Sequence, residues 1–282
     1  MLIVYLTTHM DEWLHLDQPG MPPLFVSHRR LARRLASRRP LRPAVKGWAL
    51  DSGGFSELDL YRGWKTTPAE YVAAVHRYDT EIGQLAWAAS QDWMCEPDKL
   101  AKTGLTVREH QARTVANFVE LTRLWADVSD EDCPFMPTLQ GWTLADFLTC
   151  WDMYGDAGVD LTWQAVVGLG SVCRRERVEE VGDILLALRD LDPELPIHAF
   201  GFKTVGVRRY ADLMDTCDSG AWSKGGRKRP DPVCPKRSCS NCLHYALDWY
   251  ARVTGSLAFI PDPIQRSIFP ASTLDAAAGP TP

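Results

Sequence analysis

Residues Trp48–Phe55 read WALDSGGF, a short apolar segment followed by a carboxylate, a hydroxyl and two glycines. An apolar run of this length bounded by glycine is typical of a buried β-strand that ends in a turn. The glycines leave space beside the carboxylate of Asp51, so a ligand can approach the backbone closely. This stretch predicts one strand of a sheet with a polar site at the strand's carboxyl end.

Other apolar segments share this pattern, and most of them precede residues with helical spacing. The eight predicted strands are Leu2–Leu6, Pro23–Val26, Trp48–Leu50, Leu85–Ala89, Phe135–Leu139, Gln164–Val167, Ile197–Phe200 and Leu213–Cys217. The predicted helices are Ser27–Arg39, Pro68–Ile82, Thr106–Asp127, Leu144–Tyr154, Arg174–Arg189 and Val207–Tyr210. Repeated strand–helix units in a chain of 282 residues predict an α/β fold, a (β/α)8 TIM-type barrel whose active site lies at the carboxyl ends of the strands.

The barrel is expected to occupy residues 1–230. A small zinc-binding knot with a closing helix is expected over residues 231–256, because three cysteines crowd between Cys234 and Cys242. Residues 271–282 are small, polar and proline-bearing, which predicts a disordered tail. Apolar runs are far shorter than the roughly 20 residues that span a bilayer. No basic region precedes the apolar segment Met1–Leu6, so we expect a cytoplasmic protein with no membrane partner.

The net charge of −5 gives no global attraction to nucleic acid, so such a partner must be held by local basic patches. One patch comprises the arginines between Arg29 and Arg42, and the solvated face of a helix explains it equally well. The second patch comprises Lys224, Arg227, Lys228, Arg229, Lys236 and Arg237. Because the second patch follows a candidate catalytic carboxylate, we assign it to phosphate contacts with a nucleic acid.

Polar residues and glycines follow every predicted strand, and a barrel gathers them on one rim. They are Thr8-His9, Ser27, Asp51–Gly54, Asp92, Gln140-Gly141, Gly168–Gly170, Gly201 and Asp218-Ser219. Turn formation explains any one of them, but the set favours a polar, planar ligand. Breaking a bond between a sugar and a purine needs one group that captures the anomeric carbon and another that handles the proton of the base. Carboxylates supply both, and Asp51 and Asp218 are the best-placed pair.

Asp51–Phe55 resembles the Asp-Ser-Gly-Gly-Phe signature of the tRNA-guanine transglycosylases. Further segments resemble family elements in the same chain order: Gln91–Pro97, Leu139–Gly141, Val167–Leu169 and Asp218 ahead of the basic run. The resemblance implies that Asp218 is the nucleophile and Asp51 the general acid/base. It also implies a substrate-binding set made of Ser52, Gly53, Asp92, Gln140, Gly141, Gly168 and Leu169. Candidates to stack on the flat base are Phe55, Met94 and Trp222, although plain packing accounts for each as well.

The cysteines near the carboxyl end follow the pattern Cys234-x4-Cys239-x2-Cys242-x-His244. Closely spaced cysteines are typical of a tetrahedral zinc site, because one ion can collect several thiolates. The resembled family carries Cys-x-Cys-x2-Cys with a distant histidine, whereas here the first spacing is wider and no histidine follows His244. We therefore predict a structural Zn²⁺ with His244 as fourth ligand. The alternative is a set of reduced cysteines without a metal.

Departures from the tRNA enzymes indicate a subgroup. Ser56, a tryptophan after Gln140-Gly141, and the segment Asp218–Ser223 differ from the tRNA-enzyme pattern and resemble the DpdA group of DNA 7-deazaguanine transglycosylases from phages and genomic islands. That resemblance implies replacement of guanine in DNA by a free 7-deazaguanine base, 7-cyano-7-deazaguanine (preQ0), through a covalent Asp–sugar intermediate. The alternatives are a tRNA-guanine transglycosylase, a catalytically inactive zinc-bearing nucleic-acid-binding module, and a barrel hydrolase acting on a free nucleoside. The need for an accessory ATPase stays open.

Overall fold

Parallel strands form a nearly closed barrel in the computed structural model, which describes residues 2–37, 40–173, 175 and 177–257. The strands are β1 (Ile3–Thr8), β2 (Leu24–Ser27), β3 (Trp48–Asp51), β4 (Leu85–Ala89), β5 (Phe135–Met136), β6 (Thr138–Leu139), β7 (Val167–Leu169), β8 (Ile197–Ala199) and β9 (Thr216–Ser219). Their order in the sheet is β5-β4-β3-β2-β1-β9-β8-β7-β6. The predicted tail over residues 271–282 lies outside the described residues.

The ends of this sheet meet because β5 and β6 are two halves of one predicted strand. β5 pairs with β4, β6 pairs with β7, and Pro137 separates the two halves. Proline cannot donate to the ladder, but its carbonyl still accepts the backbone N–H of Gly168 at 2.8 Å. The predicted α/β fold with a (β/α)8 TIM-type barrel is therefore confirmed, with the strand Phe135–Leu139 interrupted at one residue.

Helices connect the strands around the outside of the barrel. They are α1 (His28–Ala36), α2 (Gly54–Tyr61), α3 (Pro68–Arg77), α4 (Pro97–Thr103), α5 (Val107–Ala126), α6 (Leu144–Asp156), α7 (Val178–Leu191), α8 (Thr204–Tyr210), α9 (Ala221–Lys228) and α10 (Leu243–Leu257). Threonine capping boxes at Thr67, Thr106 and Thr143 fix the starts of α3, α5 and α6. The short helices α2, α4 and α9 had no predicted counterpart, because seven or eight residues give too few turns for a clear period.

Two strands begin three residues later than the sequence predicted. The strand predicted over Gln164–Val167 is β7 at Val167–Leu169, and the strand predicted over Leu213–Cys217 is β9 at Thr216–Ser219. A short 3-10 turn, Leu161–Trp163 or Ala211–Leu213, precedes each strand, and the apolar residues between turn and strand have no register partner among the described residues of the sheet. Gly168, Leu169 and Asp218 therefore lie inside strands and not in the turns after them.

The barrel interior is filled by aromatic rings. Successive strand residues alternate between the interior and the surrounding helices, and Tyr5, Phe25, Trp87, His198 and Phe200 face inward together. The ring centroids of Trp87 and His198 are 4.6 Å apart, and those of His198 and Phe200 are 4.8 Å apart. Because Tyr5 is the register partner of Asp218, this aromatic layer lies directly beside the Asp218 carboxylate at the rim.

Candidate active site

Asp218 is held at the carboxyl end of β9 by a donor on each of its oxygens. The Thr7 hydroxyl donates to Oδ2 at 2.6 Å, and the backbone N–H of Gly201 donates to Oδ1 at 2.7 Å. Trp222 is buried and its indole N–H donates to the carbonyl of Thr7 at 2.9 Å, which fixes the residue that orients the carboxylate. The Thr7 side chain after β1, the Gly201 backbone after β8 and Trp222 on α9 therefore define the direction of this carboxylate.

His198 lies directly beside Asp218, although it was not among the predicted site residues. Its Nε2 is 3.5 Å from Asp218 Oδ1, and its Nδ1 shares a hydrogen bond of 2.8 Å with the Thr216 hydroxyl. The ring is fully buried, and Nε2 has no hydrogen-bond partner among the described residues. The available signal was a histidine at an inward position of a predicted core strand, where a polar group needs a reason to be buried.

Asp51 occupies a different environment from Asp218. Burial raises the pKa of Asp51, the Gly53 backbone N–H and the Ser27 side chain oppose that shift, and the nearby Asp218 adds to it. The N–H of Gly53 donates to Asp51 Oδ1 at 3.0 Å, and Gly53 itself has a left-handed φ of 80°, a conformation that glycine adopts readily. The structure thus brings the two predicted catalytic carboxylates together, with one held by hydrogen bonds and the other favoured as an acid.

Asp92 and Gln140, both predicted to contact the base, form a buried pair. The Gln140 side-chain amide donates to Asp92 Oδ2, and Gln140 is itself fixed because its backbone carbonyl accepts the Gln111 side chain at 2.8 Å. Burial, followed by the repulsion of Asp51, raises the pKa of Asp92 to about 7. This carboxyl group is therefore able to change its protonation state near neutral pH.

Two further members of this network were missed by the sequence. The Ser171 hydroxyl lies 2.6 Å from Gln140 Oε1 and 3.2 Å from Glu96 Oε2. Burial raises the pKa of Glu96. Ser171 has a φ of 54°, a left-handed conformation that is unusual outside glycine and often marks a functional position. A serine after a glycine suggests a turn, so its role could not be found from local sequence.

The predicted glycines at the rim are needed for close packing. A Cβ at Gly168 would lie 2.5 Å from Met136 Cε, and one at Gly141 would lie 2.7 Å from Asp146 Cβ. Leu169 and Ser52 are both buried. The roles of these residues in base binding stay predictions. Gly170, which was not in the predicted set, directly faces the Gln140 side chain.

We expect Gly170→Ala to weaken binding of the base by about tenfold, because a Cβ there would overlap the Gln140 amide and displace it from Asp92. Gly155→Ala in α6 is the matched control, since a Cβ at Gly155 meets open space. Equilibrium binding of free guanine to both variants is the measurement. Equal affinities in the two variants would show that Gln140 does not contact the base.

The predicted stacking residues are used in packing. Phe55 lies under the ammonium group of Lys99, whose Nζ is 3.5 Å from the ring centroid, and Met94 is buried in the same cluster. Trp222 is 1% exposed and packs against Trp13 with ring centroids 5.5 Å apart. In this conformation Trp222 cannot stack on a base. Trp64 is better placed, because its indole N–H donates to the Asp92 carbonyl at 3.1 Å and its ring lies against Gly54.

Residues 2–278 match the model of the family described as DpdA, DeoxyPurine in DNA protein A. The chain belongs to the DpdA family. Membership indicates a transglycosylase that introduces a deazapurine modification into DNA, in agreement with the predicted resemblance. A comparison with curated proteins finds no significant match.

The basic run of this DpdA protein lies on α9, directly after Asp218. Lys224, Arg227, Lys228 and Arg229 are all exposed, so their charges face solvent. The other basic patch is partly neutralised, because Arg29 pairs with Glu57 at 2.6 Å, and Arg30 and Arg34 both pair with Asp11. Of the two predicted patches, the one on α9 is the better candidate to bind DNA.

Three of the four predicted metal ligands converge after α9. The ligand atoms of Cys234, Cys242 and His244 all lie within 4.8 Å of one another. The two sulfurs are 3.8 Å apart, which matches the separation of about 3.8 Å between two thiolates on one tetrahedral zinc ion with bonds of about 2.3 Å. Cys239 is fully buried, interacts with the Cys234 thiol and accepts the Asp231 N–H at 3.3 Å. This cluster can therefore hold a metal ion.

The electrostatics of the cluster also suit a cation. Burial, and then the neighbouring Cys234, raise the pKa of Cys242 to about 11, because two adjacent thiolates repel each other. A bound cation removes that repulsion. His244 Nε2 lies 3.6 Å from Asp231 Oδ2, the kind of carboxylate partner that commonly orients a metal-binding histidine. Elsewhere, none of the helices within the described residues is long and apolar enough to cross a membrane.

Proposed function

We propose that this DpdA protein replaces guanine in DNA with a free 7-deazaguanine base, 7-cyano-7-deazaguanine, through a covalent bond between Asp218 and the sugar. The observation that carries the proposal is the pair of carboxylates Asp51 and Asp218 on one rim in unlike environments. Donors on both oxygens orient Asp218 toward a single direction of attack. Burial favours the acid form of Asp51.

The exchange consists of two displacements at the anomeric carbon. In the first, an Asp218 oxygen attacks C1′, the bond from C1′ to the guanine nitrogen breaks, and Asp51 gives its proton to the departing base. In the second, Asp51 takes the N–H proton of the incoming base, whose nitrogen then attacks C1′ and releases Asp218 as a carboxylate. The ester preserves the sugar while the bases change places, which a direct hydrolase does not need.

Asp92 and Gln140 would recognise the purine edge. A carboxylate accepts two neighbouring N–H groups, such as the ring N–H and exocyclic amine that guanine and 7-deazaguanines share. The deep position of these side chains requires the nucleotide to leave the base stack, at a cost of about a few kcal/mol. Lys224, Arg227 and Lys228 on α9, with Arg229 directly after it, would offset that cost by contacting the flanking phosphates.

The cluster near the carboxyl end would bind a structural Zn²⁺ through Cys234, Cys239, Cys242 and His244. Zinc there would stabilise the fold by collecting thiolates and would take no part in the exchange. The division into a barrel over residues 1–230 and a knot over residues 231–256 stays a prediction. A supporting observation is that the Cys239 N–H donates to the Gly226 carbonyl at 2.9 Å, which fastens the cluster to α9.

Mass spectrometry of nucleosides tests the reaction directly. Cells that supply 7-cyano-7-deazaguanine would express the protein, and their DNA and tRNA would be digested and analysed separately. We expect the deazaguanine nucleoside in DNA, and expression of Asp218→Asn serves as the control. If the deazaguanine nucleoside appears in tRNA alone, the protein is a tRNA-guanine transglycosylase. If it appears in neither DNA nor tRNA, even with partner ATPases co-expressed, the proposed reaction is wrong.

Base recognition and DNA binding should be separable. We expect Asp92→Ala to weaken binding of free base about 100-fold, because two charge-assisted hydrogen bonds are lost, with little change in DNA affinity. The double variant Arg227→Ala/Lys228→Ala should do the reverse and lower the slope of log affinity against log salt by about 1 to 2. The measurements are base titrations and DNA titrations over a salt series. Equal effects of both changes on both ligands would show that the site is misplaced.

A further inference from the structure

Two buried carboxyl groups, Asp92 and Glu96, are joined through Gln140 and Ser171. Gln140 contacts Asp92 Oδ2 through its amide nitrogen, and its Oε1 lies 2.6 Å from the Ser171 hydroxyl, which is 3.2 Å from Glu96 Oε2. The exposures of Gln140, Glu96, Ser171 and Asp92 are 0%, 2%, 3% and 9%. We call these four side chains the carboxyl chain. Only Asp92 and Gln140 have a role in the proposed function.

The proton count of the carboxyl chain is fixed by Ser171. A hydroxyl has one proton and two lone pairs. One lone pair accepts the Cys95 N–H at 2.7 Å, so the proton can go either to Gln140 or to Glu96 but not to both. The neighbour that does not receive the Ser171 proton must donate one of its own.

Two arrangements satisfy every contact. In the first, Glu96 is protonated and donates to Ser171, Ser171 donates to the Gln140 carbonyl, and the Gln140 amide donates to an ionised Asp92. In the second, the Gln140 amide is turned over, so that a protonated Asp92 donates to Gln140, Gln140 donates to Ser171, and Ser171 donates to an ionised Glu96. Amide orientation is interchangeable in this way, because the two ends of the group have nearly the same shape. A single proton serves both carboxyl groups in either case.

We propose that Glu96 and Ser171 are positioning residues that share one proton with Asp92, and so set whether the pocket presents a carboxylate or a carboxylic acid to the base. This inference rests on the proposed function, which places the purine edge against Asp92. A carboxylate suits a base with two adjacent N–H donors, such as guanine or a 7-deazaguanine. A carboxylic acid suits a base with an acceptor beside a donor, such as 2-aminopurine.

Other features of the site agree with one proton shared between Asp92 and Glu96, the two ends of the carboxyl chain. Burial raises the pKa of Glu96 and raises that of Asp92 to about 7, so burial favours the protonated form of both groups. The ionisable neighbours are Asp51 beside Asp92, and Asp98, Cys173 and Arg175 around Glu96. The left-handed backbone of Ser171 places its hydroxyl between the two ends, a conformation that costs free energy and needs compensation.

Glu96→Gln tests the inference because a glutamine amide can donate to Ser171 but cannot carry the negative charge that the second arrangement places on Glu96, so the variant favours the first arrangement. We expect the ratio of guanine affinity to 2-aminopurine affinity to rise about tenfold over the wild-type ratio. In the background of Ser171→Ala, which cuts the carboxyl chain, Glu96→Gln should leave the ratio unchanged. Ser171→Gly repeats this control with a residue that accepts the left-handed backbone without strain. A purely packing role of Glu96 would not produce this dependence on the Ser171 hydroxyl.

Infrared difference spectra give a second readout. With glutamate labelled by carbon-13 in the side-chain carboxyl, guanine binding should create the band of a protonated glutamate, and Glu96→Gln should remove that band. Two outcomes overturn this inference and leave the proposed function intact. In one, Glu96→Gln binds guanine with the wild-type base preference. In the other, the wild-type protein binds guanine but shows no band of a protonated glutamate. Failure of the wild-type protein to bind guanine overturns both.

Discussion

Asp218→Asn is expected to abolish base exchange, with a loss of at least about 10⁴-fold, while DNA affinity changes less than threefold (about 0.6 kcal/mol). Asparagine keeps the shape of the side chain, and its carbonyl can still accept the Gly201 N–H that now bonds Oδ1. An amide oxygen is a poor nucleophile at C1′, so the ester cannot form. The measurement is incorporation of radiolabelled 7-cyano-7-deazaguanine into guanine-containing DNA.

The covalent intermediate should disappear in the same variant. Denaturing gels of wild-type protein with DNA and no incoming base should show a protein–DNA adduct, and Asp218→Asn should show none. Asp215→Asn is the matched control, because Asp215 lies three residues earlier, before β9 begins, where it accepts the Ile197 N–H at 2.9 Å and pairs with Arg189 at 3.0 Å. An adduct in Asp218→Asn would reassign the nucleophile to Asp51.

The strands and the rim carboxylates could be predicted because their signal is local. Short apolar runs that end in glycine and aspartate predicted β3 and β4 within a residue, and Asp51 follows directly from that pattern. The starts of β7 and β9 were wrong by three residues, because apolar residues just before each strand look like strand residues when pairing partners are unknown. Pairing with neighbouring strands decides such ends.

The missed site residues depend on contacts between distant parts of the chain. Thr7 and Asp218 are 211 positions apart, and Ser171 and Glu96 are 75 apart. No spacing rule links a threonine at the end of β1 to a carboxylate on β9, and only closure of the barrel brings them together. His198 gave a weak signal as a polar residue in an apolar strand. The stacking candidates Phe55, Met94 and Trp222 were instead found in packing contacts, because apolar residues fill cores more often than they face ligands.

Loss of the metal should unfold the region after α9 and leave the barrel folded. Structural zinc contributes about 10 kcal/mol or more to isolated zinc fingers, whereas most of the buried core is formed by residues of the barrel. We expect one zinc per wild-type chain and none in Cys242→Ser, which removes a ligand from the cluster. Cys133→Ser is the matched control, because Cys133 is exposed and distant in sequence.

The same change should also weaken DNA binding, because the cluster supports the basic helix. A Cβ at Gly226 would lie 2.6 Å from the Cys239 carbonyl oxygen, so α9 packs directly on the backbone of the cluster, and the Cys239 N–H bonds Gly226. Once residues 231–257 lose their structure, α9 loses that support and Arg227 and Lys228 no longer have fixed positions. We expect Cys242→Ser to lose hydrogen-exchange protection in α9 and α10 and to bind DNA about tenfold more weakly, with a smaller salt slope. Elemental analysis, hydrogen exchange and DNA titrations on both variants are the measurements. A metal-free preparation that keeps wild-type protection and DNA affinity would show that the cysteines stabilise this region without an ion.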